Sequence, residues 1–106
     1  MFGTVDEDIK EQYTGIEFTL RGVRITELPD EDQDRNYNEG IEDTVLCERE
    51  CPYCDRTQAF VLKSLAVGMI SVGHVINDVP IPAHAREMFI TGICDDCWNE
   101  MFGEPE

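Results

Sequence analysis

Two pairs of cysteines constrain the fold of this chain more than any other feature of its sequence. Cys51 and Cys54 form one C-x2-C pair, and Cys94 and Cys97 form another, with 39 residues between the pairs. Two thiolates at this spacing can bind one ion, and two such pairs complete a tetrahedral site of four sulfurs. Thiolate is a soft ligand that suits Zn²⁺ or iron. We therefore expect these four cysteines to bind one metal ion, Zn²⁺.

The length of the chain and its amino terminus help to decide whether the thiols bind metal or form disulfides. A chain of 106 residues builds one small core, and a structural metal can add on the order of 10 kcal/mol to the folding free energy of such a domain. The amino terminus lacks the basic and apolar regions of a signal peptide. C-x2-C pairs in such a chain indicate metal and a reducing cytoplasm. Unligated buried thiols and disulfides are the alternatives.

The stretch CERECPYC (47–54) contains a third cysteine, Cys47, which creates a second pattern. C-x3-C-x2-C resembles the iron–sulfur signature of radical S-adenosylmethionine enzymes. The chain is too short for the partial α/β barrel of those enzymes, and its second cysteine pair would be surplus. We expect Cys47 to be a small, half-buried residue in a strand that leads into the metal turn. It could instead replace a ligand of the first pair.

Two further interpretations of the cysteine pairs are open. A rubredoxin-like carrier with one iron would fit the four sulfurs, although Asp55 and Trp98 stand where glycines would follow the pairs. An HNH-type nuclease would use a histidine between the pairs, where His74 and His84 lie, but no Asp-His pair precedes a suitable helix. Either histidine could replace one cysteine as a ligand. We expect the protein to be non-enzymatic. We also expect Trp98 to pack on the core beside the metal.

The charge of the chain is strongly acidic. Asp and Glu number 23 against 8 Lys and Arg, for a net charge of −15. This charge opposes direct binding to nucleic-acid phosphates or anionic membranes and suits a protein partner with a basic surface. DNA mimicry, a saline environment and solubility alone are equally consistent with it. No apolar run of about 18 residues occurs, so no transmembrane helix is expected. For the function, we therefore expect a module that binds another protein. The alternative is a structural subunit of a larger particle.

The first 43 residues are predicted to form an acidic arm, and residues 44–106 a four-cysteine zinc-binding module. Residues 5–13 place apolar side chains four apart, as in a short helix. Residues 15–28 alternate apolar and polar side chains, which predicts a bulged strand or a tight hairpin. Residues 29–43 contain almost no apolar side chains and are expected to form a loop or partly disordered linker.

The predicted module contains the most apolar segment of the chain. Residues 44–48 are expected to be a strand, and residues 97–102 a short helix. Residues 59–76 are expected to form a β-hairpin, because each of their two glycines would weaken a helix by roughly 1 kcal/mol. A buried helix over residues 58–72 is the alternative. Two prolines make residues 77–82 a turn and an extended segment.

The expected fold is a small α+β domain of the zinc-ribbon or treble-clef type, with an amino-terminal arm that contains β structure. In a treble clef, one C-x2-C turn enters a strand and the second opens a helix. In a zinc ribbon, both turns lie on hairpins. A helix over residues 97–102 would therefore favour the treble clef.

The segment AHAREMFITGICDDCWNEM (83–101) resembles the end of small zinc-binding proteins of phages and actinobacteria, A-L-S-R-x-D-N-x-T-x-I-C-x2-C-G. Six residues fall in register with this pattern: Ala83, Arg86, Thr91, Ile93, Cys94 and Cys97. The chain departs from it at five positions: His84, Ala85, Met88, Phe89 and Trp98. The resemblance implies a phage-type accessory or regulatory protein, such as an inhibitor in the host cytoplasm, and no reaction.

Overall fold

The computed structural model describes residues 6–54 and 56–102, apart from the side chains of His84, Asp95 and Phe102. This part of the chain is a small α+β fold with a four-stranded antiparallel sheet, in which the strands follow one another in chain order. The strands are β1 (Glu17–Leu20), β2 (Val23–Glu27), β3 (Thr44–Glu50) and β4 (Thr57–Lys63). The helices are α1 (Glu7–Lys10), α2 (Asp30–Glu39), α3 (Ser64–Ser71), α4 (Ala83–Ile90) and α5 (Asp95–Phe102), with a 3-10 turn at Ile76–Asp78.

The hairpin predicted in residues 15–28 is confirmed as β1 and β2. Arg21 and Gly22 join the two strands with φ angles of 52° and 81°. Positive φ at both central residues is what a type I′ turn requires, and its twist matches that of the flanking strands. The turn therefore sets the pairing in which Leu20 lies opposite Val23.

One face of the sheet carries the main hydrophobic core. Ile25 and Cys47 lie opposite each other on β2 and β3, and Phe60 lies opposite Cys47 on β4. Directly paired residues share a face of the sheet, so these side chains point to the same side. Helices α3 and α4 bring apolar residues to this core, including the fully buried Met88 and Phe89.

The segment before β1 covers part of the other face of the sheet. The short helix predicted in residues 5–13 is confirmed as α1, although Val5 lies outside the described residues. The Tyr13 hydroxyl forms a 2.7 Å hydrogen bond with that of Thr44, and Lys10 lies 3.6 Å from a carboxylate oxygen of Glu48. The second hydrophobic cluster consists of Tyr13, Leu28, Leu46 and Ala59.

The prediction of a loop over residues 29–43 is wrong, because α2 occupies most of this segment. Acidic side chains fill the first turn of the helix, where they interact favourably with its dipole. Gly40 ends the helix in the left-handed conformation at φ 72°. None of its residues is buried, so the helix has no apolar periodicity by which the sequence would predict it.

Three side-chain hydrogen bonds tie α2 to its neighbouring segments, one of them from the Gln33 amide to the Glu27 carboxylate at 3.3 Å. The Gln33 amide donates to the backbone oxygen of Leu28 at 2.7 Å. The Asn36 amide donates to the Asp43 carboxylate at 3.1 Å. The helix is thus held at its two ends by polar contacts and not by burial of apolar surface.

The prediction of a β-hairpin over residues 59–76 is also wrong, as is the alternative of one helix over residues 58–72. β4 ends at Lys63 and α3 follows at once. The buried side chains of α3 are Ala66, Val67 and Ile70. Their burial against the main core contributes more than the roughly 1 kcal/mol that Gly68 costs inside a helix.

The predictions made from the sequence for residues 77–82 and 97–102 agree with the structure. The helix predicted over residues 97–102 is confirmed as α5, which begins two residues earlier. The turn and extended segment predicted over residues 77–82 are present, whereas α4 had no prediction. Among the described helices, none is long and apolar enough to cross a membrane.

The predicted boundary between residues 43 and 44 stays a prediction, since composition alone suggested it. In the fold, β2 pairs with β3 across this boundary over four residue pairs. Val23 and Ile25 belong to the same core as residues from the second part of the chain. The amino-terminal hairpin is therefore continuous with the sheet that carries the first cysteine pair.

Phe89→Ala is expected to lower the free energy of unfolding by about 3–5 kcal/mol, because Phe89 is 1% exposed and its loss leaves a cavity in the core. Ile90→Ala is the matched control, since the neighbouring Ile90 is 51% exposed, and it should cost less than about 1 kcal/mol. Urea unfolding of the metal-loaded proteins measures both values. Equal losses in the two variants would contradict the assigned packing of α4.

Candidate metal centre

Four cysteine sulfurs converge at one end of the β3–β4 hairpin. The Sγ atoms of Cys51, Cys54, Cys94 and Cys97 all lie within 4.8 Å of one another. The Sγ atoms of Cys54 and Cys94 are 3.5 Å apart, and all five cysteines of the chain are free. A Zn–S bond of about 2.3 Å gives sulfur–sulfur distances of about 3.8 Å in a regular tetrahedron. The predicted clustering is therefore present, at distances that fit one metal ion.

The first cysteine pair lies in the turn between β3 and β4. The backbone N–H of Cys51 donates to the oxygen of Arg56 at 2.8 Å and closes this turn. The Cys51 sulfur in turn accepts hydrogen bonds from the backbone N–H groups of Tyr53 and Cys54. The hairpin thus folds so that its own amides point at one of the sulfurs.

The second cysteine pair lies at the start of α5. Cys94 precedes the helix, and its backbone oxygen accepts the N–H of Trp98 at 2.9 Å. Cys97 belongs to the first helical turn, so the second pair spans the start of α5. The N–H of Cys94 donates to the Cys51 sulfur at 3.4 Å and joins the two pairs directly.

A cross-strand pair on the hairpin positions the segment that carries Cys94. Arg49 and Gln58 lie opposite each other on β3 and β4. The Gln58 amide donates to the oxygen of Gly92 at 2.7 Å in a buried hydrogen bond. The Arg49 guanidinium donates to the oxygen of Met88 at 3.0 Å, near the end of α4. The hairpin therefore holds the chain just before the second cysteine pair.

Gly92 fits this position because no side chain could replace its hydrogen without strain. Its φ is +76°, which residues with a Cβ rarely adopt. A Cβ there would lie 2.6 Å from the guanidinium carbon of Arg49. Thr91 shapes the same linker, since its hydroxyl donates to a Glu87 carboxylate oxygen and accepts the N–H of Ile93, each at 3.2 Å.

The sulfur cluster has a buried side and an exposed side. Cys51 and Cys94 are buried, Cys97 is half-buried and Cys54 is exposed. Ile93 joins the two buried cysteines in a small apolar cluster. Trp98 packs against this cluster, which confirms the predicted position of its side chain beside the metal. Two sulfurs are thus shielded from water while the other two lie toward the surface.

The hydrogen bonds at the cluster change the acidity of its thiols. Burial raises the pKa of Cys51, but hydrogen bonds from the N–H groups of Cys94, Tyr53 and Cys54 outweigh it and leave the pKa at about 6. Burial also dominates at Cys94 and raises its pKa. The hydrogen bond to Cys94, together with burial, raises the pKa of Cys97. These shifts favour the thiolate of Cys51, and a bound cation would displace protons from Cys94 and Cys97.

An ion pair joins the two halves of the cluster on the exposed side. The Arg56 guanidinium, after the first pair, pairs with the Asp96 carboxylate inside the second. This hydrogen bond to Asp96, followed by the nearby Cys54 sulfur, raises the pKa of Arg56. The Asp95 side chain lies outside the described residues. The arginine supplies a positive charge beside sulfurs that are expected to be anionic.

Cys47 does not take part in the sulfur cluster. It is completely buried in the main core, not half-buried as predicted, and burial, with a smaller effect of Glu48, raises its pKa to about 12. Four residues of extended chain cover about 13 Å, so Cys47 lies far along β3 from Cys51. The expectation that Cys47 is a residue of the strand is confirmed, and no three-cysteine site forms in residues 47–54.

The two histidines have no demonstrated role at the cluster. His74 is exposed in the turn after α3, and it does not belong to the group of four potential ligands found among the described residues. The His84 side chain lies outside the described residues. Replacement of a cysteine ligand by His74 is therefore not seen in this structure.

The sequence did not predict the positioning roles of Arg49, Gln58 and Gly92. A glycine just after a helical segment is a known signal for a left-handed helix end, so the role of Gly92 was within reach once α4 was recognised. Arg49 lies two residues before Cys51, and Gln58 lies four residues after Cys54. Their contacts join distant parts of the chain, and local patterns do not indicate such contacts.

Comparison with protein-family models, curated proteins and solved structures gives no match for this chain. The resemblance of residues 83–101 to zinc proteins of phages and actinobacteria therefore has no support from a family match. The zinc-ribbon or treble-clef type likewise has no support from a matching fold. The interpretation of the cluster rests on the arrangement of its four sulfurs.

Cys51→Ser is expected to abolish tight metal binding and to lower the free energy of unfolding by more than about 3 kcal/mol, because three thiolates hold a structural ion poorly. Cys47→Ala is the matched control. It should keep the metal and cost about 1–2 kcal/mol through lost packing. Metal analysis after gel filtration and urea unfolding measure both effects. Loss of metal from Cys47→Ala with its fold intact would contradict the assignment of ligands.

Gly92→Ala is expected to weaken both the fold and metal binding. Gly40→Ala is its control, since Gly40 also has a positive φ but no atom lies within 4 Å of a Cβ built there. Both changes strain the backbone, by about 1–2 kcal/mol. Gly92→Ala must also displace Arg49, which adds about 1–2 kcal/mol. Urea unfolding and competition with a zinc chelator test the difference, and identical values for the two variants would count against the positioning role of Arg49.

Proposed function

We propose that this protein is a non-enzymatic, zinc-stabilised module that acts by binding another protein. The observation that carries the proposal is the convergence of four cysteine sulfurs within 4.8 Å of one another. Four protein thiolates fill a tetrahedral coordination sphere and leave no open position for water or substrate. This is the arrangement of structural zinc sites, and it supports a role for the metal in folding.

Zn²⁺ is the proposed ion because a closed set of four thiolates is one of its common structural sites. The arrangement of the ligands, one pair in a hairpin turn and the other at a helix start, favours a treble-clef-like centre over a ribbon of two hairpins. Iron in the same four thiolates would instead make an electron carrier of the rubredoxin type. The colour of the protein separates these two possibilities.

The acidic surface supports a protein partner with a basic face. Helix α2 carries five acidic residues and a single arginine, and none of its residues is buried. With a net charge of −15, the chain repels nucleic-acid phosphates and anionic lipids, so we propose no direct binding to either. A basic protein surface, including one that otherwise binds nucleic acid, is attracted. Such attraction speeds association and weakens as salt screens it.

A regulatory role of the phage type, such as inhibition of a host protein in the host cytoplasm, remains a hypothesis. It rests on the resemblance of residues 83–101 and on the charge of the chain. An affinity experiment in the native cell, carried out at low and at high salt, would test it. A specific partner lost at high salt would support the hypothesis, and the absence of any partner at low salt would oppose it.

Metal analysis of the purified protein is expected to give about one zinc ion per chain and no visible absorbance, since Zn²⁺ has a filled d shell. Removal of the metal with a chelator should unfold or strongly destabilise the protein, because the bound ion contributes on the order of 10 kcal/mol. Circular dichroism before and after chelation measures this change. Visible absorbance with a matching iron content would replace the structural role with electron transfer.

A further inference from the structure

Helix α3 leaves one apolar stripe uncovered on the surface of the protein. Leu65, Gly68 and Met69 of α3 and Val72 just after its end follow one another at the spacing i, i+3, i+4 and i+7, so they lie on one side, with Met69 half-buried against the main core. Leu65 is 72% exposed and Val72 is 76% exposed, whereas the opposite side of α3 packs against the main core. An exposed apolar face of this kind on a helix can pack against the apolar face of a second helix.

The stripe forms the floor of an open groove of about 620 Å³, which we call the α3 groove. Glu42, Asp43 and Lys63 stand beside it. No atom lies within 4 Å of the point where a Cβ on Gly68 would be. A partner can therefore approach the backbone of α3 closely at the centre of the groove, between its larger apolar residues.

Acidic groups at the groove select the charge of its occupant. Lys63 pairs with Glu42 at 3.0 Å, so these two charges offset each other. Asp43 accepts a hydrogen bond from the neutral amide of Asn36, and its negative charge remains at the rim. A second copy of the chain would bring another charge of −15 to this surface. Electrostatic repulsion thus opposes self-association, while a basic partner is favoured.

We propose that the α3 groove binds an amphipathic helix of a partner protein whose apolar face is flanked by Lys or Arg residues. Apolar side chains of that helix contact the stripe, and its cations lie beside Asp43 at the rim. This proposal rests on the proposed protein-binding function and locates that function on α3. The metal centre keeps the fold intact and does not touch the partner.

The probe is a labelled helical peptide of about four turns, with leucines at i, i+3, i+4 and i+7 and lysines on both flanks. Fluorescence anisotropy measures its binding to the zinc-loaded full chain. We expect saturable binding that weakens as salt rises. A second peptide with the same leucines and with glutamates in place of the lysines should bind at least about tenfold more weakly.

Two substitutions in the groove and one outside it test the location. Val72→Ser and Gly68→Leu should each weaken binding of the lysine peptide by about tenfold, the first through loss of an anchor and the second by filling the groove. Neither should disturb the fold, because Val72 is exposed and Gly68 has open space above it. Val75→Ser is the matched control, since Val75 is 63% exposed and lies outside the groove, and it should leave binding unchanged.

Three results would overturn the proposal: equal binding of the two peptides, unchanged binding by both groove variants, or a stable dimer of the chain that Val72→Ser dissociates. Zinc content and circular dichroism of the same samples distinguish failure of the groove proposal from failure of the proposed function. If the chain holds zinc and captures a native partner whether or not Val72 is substituted, only the groove is wrong. A folded chain that binds no zinc would instead refute the zinc-stabilised module itself.

Discussion

The contact between the β3–β4 hairpin and the backbone at Gly92 is the constraint on which the metal centre depends. Two cysteine pairs separated by 39 residues can meet only if the chain between them returns to its starting point. Burial of α3 and α4 against the sheet accounts for most of this return. The hydrogen bond from Gln58 to Gly92 then fixes the chain two residues before Cys94. The short segment from Gly92 to Cys94 is then all that separates this contact from the second cysteine pair.

Two cysteines of the same strand segment have opposite chemistry, and the difference lies in their hydrogen-bond donors. Cys47 and Cys51 are both almost fully buried. Around Cys47 the neighbours are mainly apolar, so burial, with a smaller effect of Glu48, raises the pKa and the thiol keeps its proton. Around Cys51 several backbone N–H groups point at the sulfur and stabilise the thiolate. The backbone N–H groups that point at Cys51 therefore favour its thiolate, whereas burial keeps Cys47 protonated.

The sequence was sufficient for features that local chemistry determines. Ligand spacing predicted the sulfur cluster, and alternation around a glycine predicted a bulged strand or a hairpin within residues 15–28, of which the hairpin is present. Helix α2 escaped prediction because it buries nothing and so shows no periodic pattern. Helix α3 was not the favoured prediction because glycine has a low intrinsic helix propensity and Gly68 lies inside the segment. In the fold, packing against the core outweighs that propensity. The roles of Arg49 and Gln58 depend on contacts between distant segments, and composition and spacing do not reveal such contacts.

The lack of buried residues in α2 separates the surface charge of the protein from its stability. Substitutions of its exposed acidic residues alter the charge of the surface, yet they remove no packing from the three hydrophobic clusters. Charge at the water-facing positions of α2 can therefore change with little effect on the folding equilibrium of the core, whereas Gln33 and Asn36 are constrained by their hydrogen bonds to the flanking segments.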